Sequence, residues 1–536
     1  MKIFDFFKWR WQRWMLLLGT VSTLVVLIIL DKQGVLPLDG ATFLFLCFVY
    51  FLFSLYRPGW SFLLGVGLLP LETINVAPSF LGGIMLRPYQ MIVVILSLAL
   101  VFRYLLGRLP FRLFQPRLYD VLPVLIGVGS FIGLIHAPVL VEALKQALVV
   151  GSFVVVYFLG RIFFRTLHDV KQAAPFFVAS SLVVFGYALW QNIQYRLGGE
   201  SFQVMIGRPN ATFSEADWLG LYGIVALGVG MVLLINALDI FSQRLRKKQG
   251  VYLWYFASGL YLSLVFMVLL LTVARSAWLG ATALGEVIFL AVLLSHGIRK
   301  IHVIWKKAAL FFFIVSTSFF VAWGTIAFFD LSPFQFWNRI QSTGSGWQKI
   351  TIACMSADTV LPRKIESMNE LTESGCRHIA LEEREDEERV GHVIREVYRD
   401  DPNIVIRKDI YGQAWSVIKQ HPVLGIGWGS ITKFLGADER GAGLNASNVF
   451  LEVWLGSGLL GIASFLAWWF LIVYAAIRLY RETLERSIWM YGIFILAEFA
   501  GVAVFNLFNS GILLGFYFML FSLGVLLVDL YFESQK

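Results

Sequence analysis

Charge is what this chain has least of. Of its 536 residues only 15% are charged while 58% are hydrophobic, and mean hydropathy is +0.73. Soluble domains carry about 25% charged residues, so a soluble globular chain is excluded. Cysteine is scarce too, three in all: Cys47 in an apolar run, and Cys354 and Cys376 in the one large polar stretch. A disulfide is open to the latter two if that stretch lies outside the cytoplasm. HExxH and CxxC are absent, which argues against a tightly bound metal. A Gly-rich phosphate loop ending in Lys-Ser/Thr is also absent, which argues against a nucleotide-driven pump. No internal repeat, heptad run or low-complexity linker stands out. The basic, aromatic start MKIFDFFKWRWQRW runs into apolar sequence with no small-residue cleavage site behind it. A retained first span is therefore expected, not a removed signal peptide.

What the chain does have is apolar runs of bilayer length. Spans are expected near 14–30, 38–56, 60–78, 88–105, 119–136, 139–160, 174–192, 214–237, 252–273, 276–296, 308–329, 447–478, 487–507 and 510–532. The expected fold is an all-α multi-pass integral membrane protein of about 14 transmembrane helices, with one large extracytoplasmic loop carrying a small α/β insert. The divisions are N-terminal membrane helices over 1–329, the loop over 330–446 and C-terminal membrane helices over 447–536. With a cytoplasmic N-terminus, the basic loops at 103–117, 161–171, 242–249, 297–307 and 478–486 all fall on the cytoplasmic side, as the positive-inside rule requires. Both termini are then cytoplasmic. The net charge of +9 lies mostly in these loops and gives no reason to expect nucleic acid.

Within the polar loop, residues 345–405 form the expected insert. QKITIAC, RHIALEE and NIVIRK read as short strands; PRKIESMNELTESG and EREDEERVGHVIREVYRDD read as helices, the second with Val390, Val393, Ile394 and Val397 at helical spacing. The acidic run 382–388 reads as the solvated face of that helix, with metal binding as the alternative; no calcium-loop spacing is present.

The remaining polar sequence, 407–461, cannot lie against lipid, because its backbone groups would go unpaired there. It holds Gly425, Gly427 and Gly429 after the turn pair His421-Pro422, and ends with Asn445, Ser447 and Asn448 at the mouth of an apolar helix. Arg208, Arg275 and Arg407 each stand at the outward end of an apolar span, and Arg339 is a fourth arginine of this kind. Arginine at membrane depth faces a cavity or an anionic partner, and guanidinium grips phosphate in two-pronged fashion. Snorkelling, or pairing with Glu215 or Asp217, would explain the same residues without chemistry. His421 reads either as a base or as a turn residue. Asn210 and Asn448 either orient a sugar hydroxyl or cap helices, and capping is open to Ser447 as well.

The pieces RPNATF, RSAWLG, RIQS, RKDIYGQAW, HPVLGIGWG and SNVFLEVWLGSGLLG, in this order over residues 200–470, resemble the O-antigen ligase and polysaccharide polymerase superfamily of bacterial membrane glycosyltransferases. The resemblance implies transfer of a glycan from a polyprenyl-pyrophosphate donor to a glycan or lipid acceptor at the outer face of the cytoplasmic membrane, without metal or other cofactor. It implies that Arg208, Arg275 and Arg407 hold the pyrophosphate, with Ser447 and Asn448 near the acceptor or the anomeric carbon. Asn210, Arg339, Gly425 and Gly427 would contact substrate, and His421 is a candidate base beside Glu215 and Asp217. Ligases of this type carry histidine, then a polar residue, nine residues and GxxG; here Ser447 stands at the histidine position, before Asn448 and Gly458–Gly461. A neutral hydroxyl is no general base near pH 7, which favours repeat-unit polymerisation of a cell-surface polysaccharide over a ligase attaching a finished glycan. The insert is a second departure, since the family gap there is shorter. A transporter built on the same arginines, and a non-catalytic scaffold among polysaccharide export partners, are the readings from other classes. The paired half-helices a transporter would show are not seen.

Overall fold

The computed structural model describes residues 10–109, 114–243, 248–294, 301–332, 347–356, 362–365, 369–379, 384–400, 402–437, 443–482 and 485–534. The first eleven helices are α1 (Arg10–Lys32), α2 (Gly40–Tyr56), α3 (Pro58–Leu68), α4 (Pro88–Leu105), α5 (Val121–Ile132), α6 (Leu140–Phe163), α7 (Leu167–Arg196), α8 (Ala216–Gln243), α9 (Lys248–Leu271), α10 (Arg275–Leu294) and α11 (Ile301–Phe328). The insert and the polar stretch supply β1 (Trp347–Cys354), β2 (Lys364–Ile365), α12 (Asn369–Glu373), β3 (Cys376–His378), α13 (Arg384–Val390), β4 (Val393–Asp400), α14 (Pro402–Gln420) and α15 (Ile431–Leu435). Then come α16 (Val449–Glu482), α17 (Arg486–Asn506) and α18 (Gly515–Ser534). The protein is an all-α multi-pass membrane protein, and among the described residues 12 helices are long and apolar enough to cross a bilayer. The apolar helices α2 and α3, of 17 and 11 residues, are shorter than that.

Local chemistry sets these ends. The Asp39 carboxylate accepts from the Ala41 and Thr42 amides, both at 3.0 Å, and starts α2. Pro58 and Pro88 open α3 and α4, where a missing N–H costs nothing. The span expected over 60–78 stops at Leu68, because Pro70 cannot continue the helix. Residues 69–78 then run irregularly and mostly buried in protein, while Ser79, Phe80 and 82–85 are exposed. The amides of Glu72 and Thr73 donate to the Thr212 carbonyl at 3.1 and 3.0 Å, and the Thr212 hydroxyl donates to the Pro70 carbonyl at 2.6 Å. The Glu72 carboxylate, 4% exposed, takes Arg87 Nε at 2.8 Å and the Gly515 amide at 2.9 Å.

At the far end of α18 a second buried ion cluster closes the bundle. Arg161 reaches Asp120 at 2.9 Å and Asp529 at 2.6 Å, and the hydroxyls of Tyr157 and Tyr119 donate to Asp120 and Asp529. Between the two ends, Trp468, Phe465, Phe518 and Phe521 pack as the aromatic centre of the core. Large apolar side chains such as Phe45 and Phe48 of α2 and Phe313 and Phe320 of α11 are exposed on the flanks, the surface that lipid covers.

The insert is a four-stranded sheet of order β2-β4-β1-β3, with β1 antiparallel to β3 and β4 and with β2 parallel to β4. Cys354 and Cys376 are disulfide-bonded across the β1–β3 register. Four sequence readings are corrected here. In PRKIESMNELTESG, expected as a helix, Lys364–Ile365 is strand β2 and only Asn369–Glu373 is helical. The second expected helix ends at Val390, and Gly391, at φ +95°, turns the chain into strand β4. NIVIRK, expected as a strand, is the first part of helix α14, which Pro402 opens. In the acidic run, Glu387 is not solvated: it is 7% exposed and its carboxylate meets His392 at 2.5 Å and Arg377.

Replacing Arg161 by Met leaves Asp120 buried without its cation. The expected cost is about 3–5 kcal/mol, read as a fall in thermal midpoint of the detergent-solubilised protein. An unchanged midpoint would show that the cluster carries no stability.

Candidate active site

Four helices, α8, α10, α16 and α18, begin in one place, joined by the loop 507–514 and the loop around Arg208. Arg208 Nε donates to the Thr272 carbonyl at 2.7 Å, in the three-residue turn that leads into α10 at Arg275. Asn509 Nδ2 donates to Ser276 Oγ at 2.6 Å. Asn448 Nδ2 donates to the Leu507 carbonyl at 3.1 Å. The Tyr411 hydroxyl lies 3.1 Å from that same carbonyl and 3.2 Å from the Ser447 carbonyl, its proton shared between them. The Arg407 guanidinium stands over the Phe508 ring, 5.7 Å from its centroid, a cation–π arrangement. A Cβ on Gly511 would come within 3.2 Å of the Trp218 ring on α8. Through the Gly515 bond to Glu72, the irregular segment 69–87 closes the cluster from behind.

Each helix N-terminus contributes about half a positive charge. Four such ends, with Arg208, Arg275 and Arg407 on the surrounding turns, make a strongly electropositive cluster. Carboxylates offset part of this charge: Asp217, 3.2 Å from Arg208, Glu72 on the Gly515 amide and Glu452 on the Ala446 amide. Arg208 is thereby largely committed, to Asp217, to the Thr272 carbonyl and to Met205 Sδ at 3.5 Å. Its reach is structural on this side, since it braces the turn that presents Arg275. That turn is sharp, with Val273 at φ +53°. Burial lifts the Tyr411 phenol above its ordinary pKa, against the opposing pull of Arg407, so the hydroxyl stays a donor. Among the described residues no three of His, Cys, Asp and Glu come together as a metal-ligand set.

The other expected site residues fall into two groups. Asn448 caps α16, its Oδ1 accepting from the Phe450 and Leu451 amides at 3.0 and 3.3 Å. Ser447 leaves capping to it and sits at φ +48° with its amide on Asn445 Oδ1 at 2.8 Å. Asn210 is buried and folds its own loop, accepting from the Val204 amide and donating to the Phe213 carbonyl at 2.6 Å. His421 is not brought to the arginines. It follows α14 fourteen residues after Arg407, roughly 21 Å along the helix, and its ring lies 4.5 Å from that of His136. Gly425, at φ +69°, lies against the kink of α16 at Gly458; a Cβ on it would sit 2.6 Å from the Leu455 carbonyl oxygen. Gly427 packs on Gly133 in the same way. Gly425 serves the docking of residues 421–430 onto α16, which the Ile426 amide to Leu455 carbonyl bond at 2.8 Å secures, and Gly427 serves their docking onto Gly133. Arg339 lies outside the described residues. Phe508 and Asn509 enter the cluster without a sequence signal, being uncharged residues in a short loop between spans, whereas Ser276 and Tyr411 lie within the pieces RSAWLG and RKDIYGQAW.

The stretch 260–466 matches the family model for O-antigen ligase. This segment is similar to that family, and the match supports the resemblance to the O-antigen ligase and polymerase superfamily. No curated protein and no solved structure matches the chain. The ligase segment takes in Arg275, Arg407, Ser447 and Asn448, whereas Arg208 and Asn210 come to the same place from outside it. An enzyme of glycan transfer, embedded in a bilayer and acting on glycan or lipid-linked substrates, is what this family describes.

The αL backbone at Ser447 costs about 1–2 kcal/mol for a residue with a side chain. Ser447→Gly should therefore raise the thermal midpoint of the purified protein. A lower or unchanged midpoint would mean that the Ser447 side chain repays the strain through its own contacts.

Proposed function

We propose that this protein transfers a glycan from a polyprenyl-pyrophosphate donor to an acceptor hydroxyl at the outer face of the cytoplasmic membrane, as the repeat-unit polymerase of a cell-surface polysaccharide. The observation that carries the reading is the meeting of Arg208, Arg275 and Arg407 with the N-termini of α8, α10, α16 and α18. A pyrophosphate leaving group gathers negative charge as its bond to the anomeric carbon breaks. Fixed positive charge and dipoles aimed at that point are commonly the largest catalytic contribution. The acceptor oxygen forms the new bond to the anomeric carbon, the phosphate oxygen takes the departing electron pair, and the acceptor proton passes to Glu215 or Asp217. Arg275 binds the pyrophosphate directly; Arg208 positions the turn before it, and Arg407 covers it from α14. The reaction needs no metal, because the arginines supply the charge.

An outward position for the cluster is supported by the Cys354–Cys376 disulfide in the adjoining insert, which an oxidising compartment favours, and by the five basic loops on the opposite side. Ser447 in place of histidine favours polymerase. The family description favours the second reading, a ligase that attaches a finished glycan.

The test is a reconstituted assay with polyprenyl-pyrophosphate glycan from the native host, run with a chelator present. A ladder of lengthening lipid-linked chains is expected. A single shift that needs an added acceptor would assign the ligase instead. No turnover would reject both. Arg275→Ala should slow turnover by about 100-fold or more, the size of losing one charge-stabilising donor; wild-type turnover in that variant would remove the clamp.

A further inference from the structure

A well-formed cavity lies away from the arginine cluster. It holds about 370 Å3 between α7, α8 and α17, within the range of lipid and drug-sized ligand pockets. Its walls are mainly apolar, with Val170, Leu233, Met490 and Phe494 among them, and its polar groups are Lys171, Asn236, Arg486 and Ser487. These polar groups share one level. Lys171 is in the second turn of α7, Arg486 opens α17, and Asn236 stands twenty residues along α8 from Ala216, roughly 30 Å from the end where the arginines gather. A second cavity of about 100 Å3 adjoins the first and shares Val170, Ala174, Val229 and Phe494 with it. Its walls are almost wholly apolar, and it extends to Phe516 and Leu520 of α18.

Cationic groups at the mouth and a deep apolar interior fit one kind of molecule, an amphiphile with an anionic head. The surroundings add to the charge. Two basic stretches of the sequence run into the helices at this level: residues 165–171 into α7, and Arg478, Arg481 and Arg486 around the turn into α17. Glu485 is the acidic neighbour at the rim, and its carboxylate takes the Ser487 hydroxyl. The polyprenyl donor is not the natural occupant, because its pyrophosphate belongs at the other end of the bundle.

We propose that this cavity binds an anionic phospholipid, with its phosphate between Lys171 and Arg486 and an acyl chain running along Val170, Val229 and Phe494 toward α18. The lipid would fill the space between α7, α8 and α17 as a structural ligand. The exclusion of the polyprenyl donor rests on the glycan-transfer reading, whereas the fit of an anionic head and an acyl chain rests on the cavity alone.

The test uses the full chain, purified and placed in vesicles of phosphatidylglycerol mixed equally with phosphatidylcholine, then extracted and measured by native mass spectrometry. Phosphatidylglycerol should be retained over phosphatidylcholine by about fivefold, the size of one lysine contact with an anionic lipid surface. Lys171→Glu, a change at an exposed position, should abolish the preference. Val229→Phe, which narrows the junction of the two cavities, should lower the retained lipid of both kinds. Equal retention of the two lipids by the wild type would overturn the proposal. So would an undiminished preference in Lys171→Glu, or a polyprenyl carrier as the only lipid held.

Discussion

Backbone amides without partners are intolerable in hydrocarbon, and the end of the bundle that carries Arg275 is built around that constraint. Here α3 stops short, α9 turns into α10 in three residues, and α16 and α18 both begin. Every one of these breaks exposes N–H or C=O groups. They are satisfied by neighbouring breaks and not by lipid. Thr212 serves residues 70–73, Leu507 serves Tyr411 and Asn448, and Glu72 serves Gly515. Packing the interruptions together is the cheapest solution to a polar-backbone problem. Its consequence is a cluster of helix N-termini, and so a site with a strong taste for anions.

The chemistry follows from that arrangement more than from any single side chain. Arg208 is held by Asp217 and the Thr272 carbonyl, so it cannot swing freely toward a ligand. Its value lies in fixing the turn from which Arg275 projects. Asn509, through Ser276, braces the same turn from the loop after α17. A rigidly mounted guanidinium at a helix start needs little reorganisation when charge develops beside it. That is the physical sense of the proposal that this site acts on a pyrophosphate leaving group.

Much of this was legible in the sequence. Apolar runs of bilayer length announce their helices, and an arginine at a span end draws attention because charge is so rare there. Other features were hidden for identifiable reasons. Val393 and Val397 are four apart, a spacing that shares a face in a strand as well as in a helix, so β4 read as helix until Gly391 was seen to stop it. NIVIRK has the β-branched run of a strand, but Pro402 starts a helix whose tail, YGQAWSVIKQ, is helical. The span at 60–78 concealed a break at Pro70. Gly425 and Gly427 looked like room for a sugar, and in the structure Gly425 packs against α16 and Gly427 against Gly133. His421 lay close to the glycines in sequence, yet a straight helix carries it away from Arg407. Phe508 and Asn509 carry no charge and sit in a short turn between spans, so nothing in the sequence marked them.

The central claim is that the arginine-bearing cluster recognises pyrophosphate. The most direct measurement is the affinity of the purified protein for a short-chain, water-soluble polyprenyl pyrophosphate, set beside the matching monophosphate and the Arg275→Ala variant. Tighter binding of the pyrophosphate than of the monophosphate, lost by about tenfold or more in the variant, is the expected result, since a charge-assisted hydrogen bond contributes about 1.5–3 kcal/mol. Equal binding of both ligands by wild type and variant alike would contradict the account.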